Sequence, residues 1–220
     1  MAAAGDKNKY QIISYYTLRK LIGSAGIFLP SLMVLGKLIS SGSLAVEFSI
    51  SDYYDNGVAG DILVGVLFAL GFFLFSYKGP ERIDSWAANT GCVAALGVAL
   101  CPTTQCGNCW VHYLHFVFAL VLFGVFIFFS LVLFRKRDPV KSMTPQKENR
   151  NKAYLICGIV MIFCVAGIPG SIFLLPELSQ QYHLVFWLET IALVSFGFSW
   201  ITKAEVLWKD AENIEEKRRV

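Results

Sequence analysis

Residues 111–134 read VHYLHFVFALVLFGVFIFFSLVLF, and the stretch from Phe116 to Phe134 contains no charged residue. A helix that crosses the hydrocarbon core of a bilayer needs about 20 consecutive, mainly apolar residues. This stretch therefore predicts a transmembrane helix, with His112 and His115 where the helix begins. Because the two histidines are three residues apart, they share one face of that helix.

The rest of the chain repeats this apolar pattern. The 220 residues are 55% hydrophobic and 16% charged, whereas a soluble domain carries about 25% charged residues. The candidate spans are residues 21–39, 60–77, 86–102, 111–134, 152–175 and 184–202. The sequence thus predicts an all-α polytopic membrane protein, a bundle of six transmembrane helices that forms a single transmembrane domain over residues 1–220.

The distribution of basic residues predicts the orientation of the bundle. With six spans both chain termini lie on one side, and that side holds 18 of the 19 lysines and arginines. The positive-inside rule then places both termini in the cytoplasm. The remaining cation is Lys37, near the end of the first span, and it either extends to the interface or pairs with an acid beyond it. The basic loop 135–152 either attracts anionic lipid or serves only as a topology signal.

Acidic residues gather on the other side. The segment EFSISDYYDNGVAGD, residues 47–61, contains four carboxylates and no lysine or arginine. Its carboxylates belong to Glu47, Asp52, Asp55 and Asp61. Since the positive-inside rule keeps basic loops away from this face, we expect the acids to lie at the outer face, beside the histidines of the fourth span.

Three cysteines lie in the outer loop CPTTQCGNCWVH, which joins the third and fourth spans. In an oxidising compartment two of them form a disulfide, and Cys101 with Cys106 or Cys109 makes an easier ring than Cys106 with Cys109. The same three cysteines with His112 also resemble a zinc ligand set. Free thiols are the third possibility, so the sequence leaves three alternatives open.

Ionisable and hydroxyl side chains at the outer helix ends form the candidate site. Such side chains inside a span usually face the bundle interior and find partners there. We expect Ser49, Ser51, Asp61, His115 and Glu189 to meet within the outer leaflet. Serine would supply a nucleophile or a ligand, His115 and Asp61 a metal site or a general base, and Glu189 an acid or base. The alternative is that these groups only form hydrogen bonds between helices.

The chain contains no Walker loop, Rossmann fingerprint, nucleophile elbow or HExxH motif, and no signature of nucleic-acid binding. Its motifs do resemble those of an uncharacterised family of bacterial six-span membrane proteins. The matching motifs are SISDYY at residues 49–54, DILVG at 61–65, YKG at 77–79, ALGVALCPT at 95–103, HF at 115–116 and ETIALVSFGFSWITKAE at 189–205. That family is similar, more remotely, to the CREST superfamily, which includes alkaline ceramidases and adiponectin-type receptors.

The superfamily resemblance implies a metal-dependent lipid amidase whose site holds a serine, an aspartate and three histidines. Ser51, Asp61 and His115 are the positions here that match. The superfamily's C-terminal H-x-x-x-H pattern is absent, and Glu189 lies near that place. Asp55 stands where close relatives have a histidine, and the superfamily typically has seven spans rather than six.

Two functions follow as expectations. The first is a metal-dependent hydrolase, with zinc held by Asp61 and His115, that acts on a lipid at the outer leaflet of the bacterial inner membrane. Its catalytic residues would be Ser51, Asp61, His115 and Glu189. The second is a non-catalytic sensor, receptor or assembly subunit that binds a ligand, a cation or a partner at its acidic outer face.

Overall fold

The structure is a computed structural model that describes residues 14–103, 110–136 and 144–209. Within these ranges, six helices are long and apolar enough to cross a membrane, which confirms the predicted all-α, six-span architecture. The helices are α1 (Tyr15–Ser41), α2 (Val58–Ser76), α3 (Arg82–Leu100), α4 (Trp110–Phe128), α5 (Pro145–Leu174), the short α6 (Pro176–Tyr182) and α7 (Leu184–Lys203). A 3₁₀ turn covers Ser51–Asp55, and α4 continues as a π-helical segment over Phe129–Leu133.

Several helices begin earlier than the apolar spans predicted. Ser14 caps α1 by accepting a hydrogen bond from the Thr17 N–H at 3.2 Å, and Thr144 caps α5 by accepting one from the Lys147 N–H at 3.2 Å. A capping side chain satisfies a backbone donor at the start of a helix, so the helix starts at the cap and not at the first apolar residue. The short α6 and the 3₁₀ turn were not predicted.

The six long helices form a closed ring. In order around the ring, α1 packs against α2, α2 against α3, α3 against α4, α4 against α5, α5 against α7, and α7 against α1. We call the end that holds residues 42–57 the cavity end, and the end that holds residues 77–81, 134–136 and 204–209 the basic end. This ring leaves its centre available for a site that several helices share.

The contact between α1 and α7 depends on two facing glycines. A Cβ atom placed on Gly23 would lie 2.7 Å from the Gly197 carbonyl oxygen, and one placed on Gly197 would collide with the Gly23 carbonyl oxygen. Small residues at such positions let transmembrane helices approach closely. The seam matters for function because α7 carries Glu189 and is the helix to which the loop at the cavity end is attached.

We expect Gly197→Ala to lower the unfolding free energy by about 1–3 kcal/mol, because the added methyl group forces the two backbones apart. Gly65→Ala is the matched control, since a Cβ on Gly65 meets no atom within 4 Å. Thermal unfolding in detergent measures both changes. Equal melting temperatures for the two variants would contradict the close approach of α1 and α7.

Candidate functional site

The loop between α1 and α2 enters the ring at the cavity end. The Phe186 N–H donates to the Phe48 carbonyl oxygen at 2.9 Å, and the Ile50 N–H donates to Glu189 Oε2 at 2.7 Å. Glu189 lies five residues into α7, so the loop reaches about 7 Å below the start of that helix. Irregular backbone is tolerated at this depth where protein surrounds it, and Ile50 and Tyr53 are indeed buried.

Ser49 and Asp52 shape the loop around Ser51. The Ser49 N–H donates to Asp52 Oδ2 at 3.0 Å, and the Asp52 N–H donates to Ser49 Oγ at 3.2 Å. Burial raises the pKa of the Asp52 carboxyl, while the hydrogen bonds with Ser49 and the charge of His115 act in the opposite direction. The Ser49 hydroxyl thus accepts from the backbone at the start of the 3₁₀ turn.

Lys37 fastens the outer part of the same loop. Its Nζ lies 2.5 Å from Glu47 Oε1, and the Asn56 side-chain amide donates to the same oxygen at 3.1 Å. The sequence left open whether Lys37 extends to the interface or pairs with an acid, and the structure shows the pair. The Glu47 carboxylate therefore joins Lys37 of α1 to Asn56 near the other end of the loop.

The hydroxyl of Ser51 meets the imidazole of His115. Ser51 Oγ lies 2.9 Å from His115 Nε2, and His115 Nδ1 lies 2.6 Å from the Cys101 carbonyl oxygen. A carbonyl oxygen only accepts, so Nδ1 carries the proton. In the neutral ring Nε2 is then an acceptor, and the Ser51 hydroxyl donates to it. This arrangement places a hydroxyl beside an imidazole whose tautomer is set by a third group, which is the geometry that nucleophilic catalysis by serine requires.

The Cys101 carbonyl is available because α3 ends there. Cys101 is the residue that follows the last turn of α3, and the last carbonyls of a helix have no partner within the helix. Pro102, the next residue, cannot continue the helix. That the end of α3 leaves a free acceptor opposite His115 was not predicted from the sequence.

Ser51, His115 and Glu189 line one cavity near the centre of the ring, with a volume of about 60 Å³. Such a volume is large enough for water, since a single water needs about 10–15 Å³ on this measure. The remaining lining is apolar and comes from α1, α2, α3, α4 and α7, together with Ile50. Along α4 it extends from His115 to Phe126, a distance of about 16 Å. Phe126 stacks on Phe196 with ring centroids 3.6 Å apart.

Asp61 does not join these residues. It is exposed in the first turn of α2 and does not line the cavity. Both ring nitrogens of His115 are already hydrogen-bonded. Among residues 14–103, 110–136 and 144–209, no three His, Cys, Asp or Glu side chains lie close enough to hold a metal ion together. In this arrangement the described residues do not fit the zinc site expected from Asp61 and His115.

A disulfide, one of the three alternatives for the loop after α3, finds no support in the described residues. Cys101 is a free thiol, and Cys106 and Cys109 lie outside the residues that the structure describes. His112, the proposed fourth zinc ligand, has its Nδ1 2.8 Å from the Thr103 carbonyl oxygen. His112 therefore holds the end of the loop to α4 through a backbone contact.

The assembled site combines a hydroxyl that is hydrogen-bonded to an imidazole, a backbone carbonyl that orients this imidazole, and a carboxyl group that fixes the neighbouring backbone. These groups lie at one end of an apolar cavity inside a membrane-type bundle. Such a set can transfer an acyl group to the serine and then to water. Comparisons with protein-family models, with curated proteins and with solved structures find no match to this chain.

Proposed function

We propose that the protein is an intramembrane lipid hydrolase in which Ser51 is the nucleophile and His115 the general base. The observation that carries this proposal is the hydrogen bond of 2.9 Å between Ser51 Oγ and His115 Nε2. The bond of His115 Nδ1 to the Cys101 carbonyl supports it, because it leaves Nε2 free to accept a proton. A serine next to a base that a third group orients is the arrangement of nucleophilic acyl transfer.

The reaction follows from the positions of these groups. Ser51 Oγ attacks the acyl carbon of an ester or amide, and its proton passes to His115 Nε2. The bond from the acyl carbon to the leaving group then breaks, and the leaving alcohol or amine takes that proton from Nε2. Water attacks the acyl-serine, gives a proton to Nε2, and releases the fatty acid as Ser51 recovers its proton.

The surroundings of the dyad favour a lipid as the substrate. The cavity beyond Ser51 is lined by apolar side chains such as Leu67, Leu122 and Leu193, which favours an apolar group over a charged metabolite. Its volume of about 60 Å³ holds water, so the cavity must widen to admit an acyl chain. With both termini in the cytoplasm, as the basic residues predict, the dyad faces the outer leaflet of the bacterial inner membrane. The substrate class we propose is therefore an acyl ester or amide of that leaflet.

A fluorophosphonate probe tests the nucleophile directly, because such probes form a covalent bond with an activated serine. We expect wild-type protein in lipid nanodiscs to be labelled at Ser51, and labelling to disappear in Ser51→Ala and in His115→Gln. Ser171→Ala is the matched control, since the Ser171 hydroxyl is buried in α5 and donates only to the Ile168 carbonyl at 2.8 Å. Labelling that persists in folded Ser51→Ala would refute the assignment of the nucleophile.

Chelation separates the proposed reaction from the metal-dependent form that the superfamily resemblance implies. If His115 acts as a base and not as a ligand, turnover survives treatment with the chelator 1,10-phenanthroline. If turnover is lost on chelation and restored by zinc, a metal takes part and His115 must exchange one of its present hydrogen bonds for it. The same preparations give the zinc content per chain by plasma mass spectrometry.

The second candidate is a receptor that binds a lipid in the same cavity without turnover. The observation that favours it is the firm attachment of the loop, through Lys37 to Glu47 and through Ile50 to Glu189. A receptor of this kind would bind lipid but would not be labelled by fluorophosphonate. The two functions are thus separated by one experiment on the same protein.

A further inference from the structure

A second surface of interest is an open groove between α5 and α7 at the basic end, far from the cavity end. Its volume is about 590 Å³, within the range of ligand sites. Its lower walls are apolar and its rim is polar. The walls of the groove include Ile156, Val194 and Phe198, and its rim includes Asn149, Lys152 and Trp208.

The groove has the length and position of a lipid site. On α5 its lining extends from Asn149 to Cys157, which is about 12 Å along the helix axis. It begins at the helix end and runs toward the middle of the bundle, so an acyl chain in it would lie parallel to the surrounding lipids. Trp208 stands at the rim, and tryptophan favours the membrane interface.

A buried cation holds that tryptophan in place. Arg150 is 7% exposed, and its Nη1 donates to the Trp208 carbonyl oxygen at 2.5 Å. The side chain of Trp208 is partly exposed and lines the groove. The rim is therefore built by α5 together with the segment that follows α7, which Arg150 joins.

The charge at this end is strongly positive. Residues 14–20, 77–84, 135–136, 144–152 and 203–209 together carry eleven lysines and arginines against four aspartates and glutamates. At the rim itself Lys152 is exposed, and its Nζ lies 2.8 Å from Glu148 Oε1 on the same helix. An exposed pair of this kind contributes little to stability, so its ammonium can turn to a phosphate at little cost.

We propose that this groove binds one anionic phospholipid. One acyl chain lies along Ile156, Val194 and Phe198, and the phosphate contacts Lys152 and Asn149 beside Trp208. Positive pockets between transmembrane helices on the cytoplasmic side bind anionic headgroups. A zwitterionic lipid would bring a quaternary ammonium group into this positive rim, and we expect it to bind less well. The proposal does not depend on the hydrolase at the cavity end.

Quenching of Trp208 by brominated lipid tests the proposal. The chain is reconstituted in phosphatidylcholine vesicles that contain increasing fractions of dibrominated phosphatidylglycerol, and the Trp208 signal is the difference between wild type and Trp208→Phe. We expect half-maximal quenching of Trp208 at a lipid fraction about fivefold lower than with dibrominated phosphatidylcholine. Trp86 is the internal control. It is 72% exposed on α3, on the opposite side of the ring, so its quenching by the two brominated lipids reports contact with bulk lipid.

Two charge reversals complete the experiment. Lys152→Glu is expected to remove the preference at Trp208, whereas Lys78→Glu, an exposed lysine on the opposite side of the ring, leaves it unchanged. Equal quenching of Trp208 by both brominated lipids would show ordinary annular lipid and overturn the proposal. If Trp208→Phe does not fold, native mass spectrometry of wild type and the two charge variants from mixed-lipid nanodiscs decides. Retention of phosphatidylglycerol that Lys152→Glu does not reduce would then overturn the proposal.

Discussion

Turnover of an acyl lipid is expected to fall by at least about 10³-fold when Ser51 is replaced by alanine. The same loss is expected for His115→Gln, because glutamine offers no base to receive the serine proton. Both substitutions remove one half of a hydrogen-bonded pair, Ser51 Oγ to His115 Nε2. The measurement is the release of fatty acid from lipid esters and amides by protein in nanodiscs, with kcat and KM determined separately.

The double variant makes this prediction specific to a catalytic pair. Residues that act as a unit in catalysis are strongly non-additive, so each single change costs nearly as much as removing both. We therefore expect Ser51→Ala with His115→Gln to lose no more activity than either variant alone. If the two losses multiply, the residues act independently and the proposed proton transfer between them is wrong.

Stability measurements separate catalysis from folding. His115 is buried and its Nδ1 bonds the Cys101 carbonyl, so His115→Gln also removes a contact between α3 and α4. Ser51→Ala leaves that contact in place and should melt within a few degrees of wild type. Ser171→Ala should retain both activity and stability, as its hydroxyl lies on α5 outside the cavity.

The number of spans could be predicted from the sequence because apolar length alone decides it. A run such as Phe116–Phe134 without a charge has one favourable state in a membrane, which is a helix. The exact starts of α1 and α5 could not be predicted from the apolar runs, since Ser14 and Thr144 cap these helices in polar sequence. The ring order also could not be predicted, because it depends on close contacts such as Gly23 against Gly197.

Part of the candidate site was predictable and part was not. Ser51, His115 and Glu189 line one cavity as expected. His115 and Glu189 do so because polar groups inside spans turn to the bundle interior, and Ser51 joins them because the loop after α1 enters the ring. Asp61 does not, because the buried face of α2 includes Leu63 and Leu67. Asp61 precedes Leu63 by two residues, which is about 200° around a helix. Its carboxylate therefore faces away from the cavity, although it lies close to Ser51 in sequence.

The loop that carries Ser51 gives the second large effect. Glu189 Oε2 accepts the Ile50 N–H at 2.7 Å, and Ile50 is the residue before the proposed nucleophile. Glu189→Ala leaves this buried donor without a partner, which costs about 1–3 kcal/mol. We expect the loop to shift and turnover to fall by about 10²-fold, since a displacement of about 1 Å at the reacting atoms has this effect.

Glu189→Gln decides between two roles for this side chain. The sequence suggested that Glu189 acts as an acid or base. An amide cannot serve as either, so in that role Glu189→Gln and Glu189→Ala would be equally inactive. If Glu189 instead positions Ser51, the amide oxygen of Gln still accepts the Ile50 N–H, and turnover is expected to stay within about threefold of wild type. The loss in Glu189→Ala should then appear in kcat together with a lower rate of fluorophosphonate labelling at Ser51. Because Gln keeps an oxygen that can accept the Ile50 N–H but cannot exchange a proton, the comparison isolates the acid–base contribution of Glu189 beyond holding Ile50.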